Sequence, residues 1–252
     1  MIIALFKSTF EILKKNYYKA QFEPTILSIF INPSYFIRRD LFNNISILAL
    51  KIQGSLLDFG CGRKPYQNLF TNSFSYIGLD LDHSDKLKNN VFADLFYDGV
   101  TIPIEDYTID NIFSSETFEL LPDPNQILCE FNRILKPGGK LLITVPFVWE
   151  EHWRPYDNVR YTEIGIKNLL QNNGFEILES RKSTSYFASV LQLFITYLWR
   201  VVFPNNKLLK GLFTILLISP FNLLGIIIDF FSRKNSDSYF YLNTVVLAHK
   251  KN

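Results

Sequence analysis

A short apolar run that ends in a glycine turn constrains this chain more than any other stretch. Leu56-Leu57-Asp58-Phe59-Gly60-Cys61-Gly62 reads as a strand passing directly into Gly-x-Gly. Glycines there let backbone N–H groups approach a nucleotide-like ligand with no Cβ in the way. A dinucleotide fingerprint would add a third glycine at position 65 and offer a helix N-terminus to pyrophosphate, but the residue there is Pro65. The pattern points to a nucleoside without phosphates, with a plain tight turn as the bland alternative. Twenty residues past Gly60 the next strand ends in Gly78-Leu79-Asp80, where a carboxylate can accept from both ribose hydroxyls. Asp82 competes for that role. Asp94, after a third strand, is either an acceptor for an adenine amino group or a solvated loop residue.

Around this turn, β-like runs alternate with helical ones, an order that implies a parallel sheet covered by helices on both faces. The expected strands are 55–59, 75–79, 91–92, 111–115, 140–145, 175–180 and 243–249. Asp123-Pro124 opens a helix carrying Ile127, Leu128, Phe131, Ile134 and Leu135, which Pro137-Gly138-Gly139 stops. Thr162 caps a helix that ends at Asn173-Gly174. Earlier, Asn32-Pro33 signals a helix start, with Pro33 at the first helical position and Phe36, Ile37, Leu41, Ile45, Leu48 and Ala49 on one face. The expected organisation is cap helices at 1–52, a nucleoside-binding core at 53–181, an apolar helical insertion at 182–238 and a last core strand at 239–252.

Five motifs in this order carry a family resemblance: Leu57-Asp58-Phe59-Gly60-Cys61-Gly62, Gly78-Leu79-Asp80, Ile102-Pro103-Ile104-Glu105-Asp106, Ser114-Ser115-Glu116 and Leu135-Lys136-Pro137-Gly138-Gly139. Over residues 50–180 the chain resembles class I S-adenosylmethionine-dependent methyltransferases of the type 11 group. The resemblance implies a Rossmann-like α/β fold, a seven-stranded sheet of six parallel strands whose last is antiparallel. S-adenosylmethionine would lie across Asp58, Gly60, Cys61, Gly62, Asp80, Leu81, Asp94, Leu95, Ser115 and Glu116, with no metal. Two departures stand out. The family's usual His after the fourth strand is Leu120 here, and the glycine loop continues as Arg63-Lys64-Pro65-Tyr66, a variant that resembles relatives encoded near polysaccharide-assembly enzymes, which share a similar His, Pro, Asp and Arg-Tyr-Thr pattern after the fifth strand.

The loop after the fifth strand, Glu150-Glu151-His152-Trp153-Arg154-Pro155-Tyr156-Asp157-Asn158-Val159-Arg160-Tyr161-Thr162, is dense in ionisable and aromatic side chains where a second substrate would lie. Methyl transfer from a sulfonium needs alignment above all, and a base only if the acceptor must lose a proton. His152 or Asp157 is the candidate base toward an acceptor hydroxyl, with Arg160 and Tyr161 orienting it. The competing reading is a structural Asp157–Arg160 ion pair. Cys129 reads as a helix-core residue, His83 as a surface loop residue, and Lys14-Lys15 and Arg38-Arg39 as solvated helix charges.

A net charge of +2 gives no case for nucleic acid as partner, and two widely spaced cysteines give neither a disulfide framework nor a zinc site. The start, MIIALFKSTFEILKK, lacks the pattern of a signal peptide, so a reducing, cytoplasmic setting is expected. No charge occurs between Lys182 and Arg200 or between Lys210 and Asp229, runs close to the roughly 17-residue minimum for a spanning helix. Ser185, Ser189, Gln192 and Thr196 share one helical face opposite apolar residues, and Pro220 is expected to interrupt the second run. A monotopic appendage on the cytoplasmic membrane face is therefore expected, with Arg200, Lys207, Lys210, Arg233 and Lys234 near anionic headgroups. A lid or homo-oligomer interface is the alternative use of that area. The expected activity is methylation of a glycan or lipid-linked small-molecule acceptor. Alternatives are a quinone or other lipid methyltransferase, or a non-catalytic accessory that docks through 182–238.

Overall fold

The computed structural model describes residues 18, 20–82, 91–232 and 239–251. His83, Lys14, Lys15, Arg233 and Lys234 lie outside the described residues. Two compact units are present. One comprises residues up to Phe42 together with Thr184–Tyr241, the other Asn43–Ser183 with the chain from Leu242 onward.

The second unit is built on a seven-stranded sheet of order β3-β2-β1-β4-β5-β7-β6. Its strands are β1 (Gly54–Phe59), β2 (Ser73–Leu81), β3 (Leu95–Tyr97), β4 (Ile109–Ser115), β5 (Leu135–Pro146), β6 (Phe175–Ser183) and β7 (Asn243–Lys250). β1 pairs in parallel with β2 and β4, and β4 with β5, while β7 runs antiparallel between β5 and β6. The central strands are buried on both faces, which is why they read as nearly unbroken apolar runs. Strand β3 corrects the expectation of 91–92. That segment leaves the sheet to meet the glycine loop, with Phe92 N–H donating to Gly62 O at 2.7 Å, and pairing resumes at Leu79↔Leu95.

Helix α3 (Pro124–Ile134) has Asp123 accepting from Asn125 and Gln126 N–H groups, and α4 (Glu163–Asn172) has Thr162 accepting from Gly165 N–H. Both caps stand where the cap residues predict them. Ile127, Leu128, Phe131 and Ile134 of α3 are buried, Phe131 edge-on to Phe59 at 5.0 Å between ring centroids. Each such side chain contributes about 1.5–3 kcal/mol through burial. Cys129 is exposed, correcting its placement in the helix core. It lies across the helix from that apolar stripe.

The first unit holds α1 (Ile26–Ile31), the N-terminal half of α2 (Tyr35–Ala49), α5 (Tyr186–Val202) and α6 (Lys207–Phe231). Pro33 lies in a turn before α2, not in its first helical turn, and Asn32 Oδ1 accepts from Ser34 N–H at 2.8 Å. Arg39 is not solvated as its sequence neighbourhood implies. It sits between Asp40 and Asp229, with its Nη2 2.5 Å from Asp229 Oδ2. Pro220 does not break α6. A π-type turn at Thr214–Ile218 precedes it, and Ser219 Oγ donates to Ile215 O at 2.5 Å. Widened turns and hydroxyl-to-carbonyl bonds of this kind accommodate a ring that lacks an N–H.

Candidate active site

The carboxyl ends of β1, β2, β4 and β5 converge on one edge of the sheet, where ligands of open α/β sheets bind. Gly60 and Gly62 adopt φ of +71° and +49°, the left-handed region that glycine enters at little cost. Gly60 and Cys61 N–H groups donate to Leu79 O at 2.9 and 3.1 Å, clamping the turn against β2. Asp80 is the other half of the clamp. Its Oδ2 accepts from Gly62 N–H and its Oδ1 from Leu81 N–H, each at 2.8 Å. Each oxygen keeps a second lone pair for a hydroxyl. A Cβ on Gly62 would meet nothing within 4 Å, so the turn's outer side is open to a ligand. Glycine loop, open flank and carboxylate together fit a nucleoside, the moiety through which S-adenosylmethionine would be held.

Other predicted cofactor residues are differently engaged. Asp58 is buried and accepts from the Tyr76 hydroxyl, and burial pushes its carboxyl up to about 7. Asp94 Oδ2 accepts from Gly78 N–H at 2.7 Å and Lys64 Nζ at 2.5 Å. Those two bonds outweigh its partial desolvation and hold its carboxyl below the usual range. Leu95 pairs with Leu79 as the first residue of β3. Ser115 Oγ lies 2.9 Å from Thr144 Oγ1. Glu116, at φ +53°, turns its carboxylate to Thr144 Oγ1 at 2.8 Å and Asn243 Nδ2 at 2.7 Å, into the β5–β7 side of the sheet.

The loop after β5 is held by an ion-pair lattice. Arg160 binds Asp157 through two bonds of 2.5 and 2.6 Å and donates to Glu150 O at 3.0 Å. The Arg160 guanidinium, above other causes, lowers Asp157 to about 2. Asp157 Oδ2 also accepts from His152 N–H at 2.8 Å and lies 3.3 Å from His152 Nδ1. Tyr161 packs against the sheet core, and burial pushes its hydroxyl up to about 12. Exposed Trp153 and Tyr156 flank this lattice.

One residue that the spacing did not single out completes the site. Glu119, in the turn after β4, is fully buried, and among the described residues neither carboxylate oxygen has a donor within a formed hydrogen bond. His152 Nε2 stands 3.4 Å from its Oε1. Glu119, ahead of the opposing effect of burial, raises the imidazole above its ordinary value. Backbone bonds tie the same turn to the loop, Asn158 N–H donating to Glu119 O at 2.8 Å. A Cβ on Gly60 would fall within 2.4 Å of Thr117 Oγ1, so the glycine turn abuts the segment carrying Glu119. A histidine thus reaches the turn where the family resemblance places one and this chain has Leu120, but it arrives from the following loop.

The fold and site define the S-adenosylmethionine-dependent methyltransferase class: a mixed sheet with the last strand antiparallel, and a glycine turn facing a carboxylate at the end of β2. Residues 34–180 match the family described as Methyltransferase domain, and the chain belongs to that family. Its cofactor is S-adenosylmethionine. The chain is 34% identical over 102 residues to Methyltransferase GfsG of Streptomyces halstedii, covering 35% of this chain and 36% of that protein. It is 26% identical over 136 residues to a Malonyl-[acyl-carrier protein] O-methyltransferase of Hahella chejuensis, covering 46% and 48%. The chain thus spans about a third to a half of the length of these curated relatives. Among solved structures, a SAM-dependent methyltransferase from Archaeoglobus fulgidus superposes with TM-score 0.52 at 14% identity, covering 94% of this chain and 99% of that one. The [4+2]-cyclase SpnF gives 0.53 at 16%, covering 86% and 84%. At such identities the likeness is one of fold.

Proposed function

We propose that the chain transfers a methyl group from S-adenosylmethionine to a hydroxyl of a glycan or lipid-linked precursor, with His152 as general base. The cofactor supplies an electrophilic methyl on a sulfonium. The chain's residues align the partners and receive a proton. The observation that carries the reading is His152 set between two carboxylates at the mouth of β5. Asp157 and Glu150 O fix the ring through Nδ1. Nε2 has the looser partner, since 3.4 Å exceeds a formed charge-assisted bond, and takes the hydroxyl proton. Buried Glu119 then offsets the imidazolium charge. Asp157, held far below neutrality by Arg160, is too weak a base and acts as the ring's orienter. Arg160, spent on the loop itself, secures that geometry and does not reach for the acceptor.

The type 11 and polysaccharide assignment rests on the motif order and on the loop pattern His152, Asp157 and Arg160-Tyr161-Thr162. A base placed to take a proton at Nε2 favours a hydroxyl as the acceptor. A quinone or other lipid acceptor is the second reading, favoured by the apolar residues exposed along α5 and α6.

The test incubates purified protein with methyl-labelled cofactor and fractionated lipid-linked oligosaccharides, and reads methylated products by mass spectrometry. His152→Ala is expected to lose about 10² to 10⁴-fold in turnover with unchanged cofactor affinity. Wild-type turnover by His152→Ala overturns the base. No cofactor binding at millimolar concentration would make the chain a non-catalytic accessory.

A further inference from the structure

Helices of water-soluble proteins turn apolar residues inward and polar residues outward. In α5 and α6 several polar groups point the other way. Ser189 and Gln192 of α5 are fully buried: Gln192 Oε1 accepts from Phe36 N–H at 3.0 Å and its Nε2 donates to Pro33 O at 2.7 Å. In α6, Thr214, Ser219, Asn222 and Asp229 face inward, Asn222 donating to Ile29 O at 2.8 Å and Asp229 pairing with Arg39. The outward positions are apolar, with Leu208 84%, Leu216 60%, Ile227 57% and Phe230 68% exposed.

A run of exposed apolar side chains along two helices is what soluble monomers rarely leave bare, and it asks for a partner. Charge selects it. The charged residues of α5 and α6 are Arg200, Lys207, Lys210 and Asp229, and Asp229 is buried against Arg39, so the displayed charge is positive. Where α5 gives way to α6, Trp199 lies under Lys210 Nζ at 4.0 Å and Arg200 at 5.2 Å. An indole bracketed by cations beside an apolar face suits the headgroup level of an anionic bilayer. The inner face of α6 is sealed by polar bonds to Ile29, Asn32 and Arg39. A spanning α6 would carry Arg39 and Asp40 into hydrocarbon, where ionisable groups are expensive.

We infer that the helical unit is a monotopic docking module that seats the outward face of α5 and α6 in one leaflet of an anionic membrane. The inference rests on the burial pattern and not on the methyl-transfer reading.

Flotation of the purified full chain with phosphatidylcholine vesicles, and with vesicles that also contain phosphatidylglycerol, tests it. The protein is expected to float with the anionic vesicles. Lys207→Glu with Lys210→Glu should weaken that binding at least about tenfold, and Leu208→Asp with Leu216→Asp should abolish it. Lys207, Leu208 and Leu216 are exposed and Lys210 half-buried, and both variants are expected to leave the helical circular dichroism and cofactor binding unchanged, which separates this outcome from misfolding and from failure of the enzymatic reading. A wild-type protein that stays in the soluble fraction as a discrete monomer or dimer overturns the inference. Equal binding to neutral vesicles overturns the charge assignment. Asn205→Cys in a Cys129→Ser background, in vesicles to which protein was added from outside, should react with an impermeant maleimide well beyond the Cys129→Ser parent, and protection would mean a span and overturn the one-leaflet placement.

Discussion

At the scale of single residues, two buried carboxyls stand out, Glu119 and Asp58. Glu119 lies beside the His152 imidazole, and the consequence is a pH profile. A base works only when deprotonated, so a raised His152 pKa places the acid limb of kcat/KM above the ordinary value of about 6.5. Glu119→Gln removes the largest raising influence, and the limb should move toward lower pH with a smaller plateau. An unchanged profile would dissociate Glu119 from the chemistry. Among the described residues, the Tyr76 hydroxyl and Lys64 offset the burial of Asp58 only in part, and its folded pKa of about 7 exceeds the unfolded value. The native state then holds the proton more tightly, so this group's contribution is most favourable in acid and is lost as pH rises from about 4 through about 7. Asp58→Asn keeps an acceptor for Tyr76 and removes the buried charge. Its gain in Tm should be larger at pH 8 than at pH 5, and an equal gain at both would mean that Asp58 is not protonated in the fold. The place of Asp80 beside the glycine turn was legible because a short connection and the parallel strand β2 fix its distance along the chain from Gly60. Glu119 was not, since nothing in Thr117-Phe118-Glu119-Leu120 reveals that a side chain from the following loop will fold onto it.

Whole elements were readable where one physical signal dominated. Strands β1, β4 and β5 are apolar on both faces, and α3 and α4 begin at capping residues whose side chains the structure shows bonded. Strand β3 is short and half exposed, so its pattern competes poorly with the preceding Val91-Phe92. Pro220 misled because a proline's effect depends on the turn before it, and the π-type widening at Thr214–Ile218 has no simple sequence signature. The glycine turn is the element where conformation and contact coincide. At Gly60 an L side chain must adopt φ near +71° and its Cβ would overlap Thr117. Gly60→Ala should therefore lower stability by about 1–2 kcal/mol from backbone strain alone. It should also weaken cofactor binding by pushing the turn off Leu79 O, as thermal unfolding and titration calorimetry would show. Full retention of cofactor affinity would mean that the turn is not the nucleoside seat.

For the whole molecule, the division into two units separates two kinds of interior. The sheet unit is held by an apolar cluster from Leu57 to Ala248, whereas the helical unit combines a small apolar cluster around Phe36 with buried ionic and amide groups. Arg39 is the hub of the latter. It lies between Asp40 and Asp229, both 2% exposed, and stacks over Phe36 at 5.1 Å. Taking away the cation leaves two buried carboxylates facing each other, a situation that typically costs about 3–5 kcal/mol. Arg39→Met retains much of the stem's apolar contact with Phe36, so the loss it produces reports on charge. Amide hydrogen exchange should then accelerate across 186–231 while protection of β1 and β4 is kept. Because the residues assigned to the cofactor all belong to the sheet unit, titration calorimetry should return the wild-type affinity. If affinity fell in step with protection of the helices, the cofactor would draw binding energy from both units, and the assignment of the site to the sheet unit alone would fail.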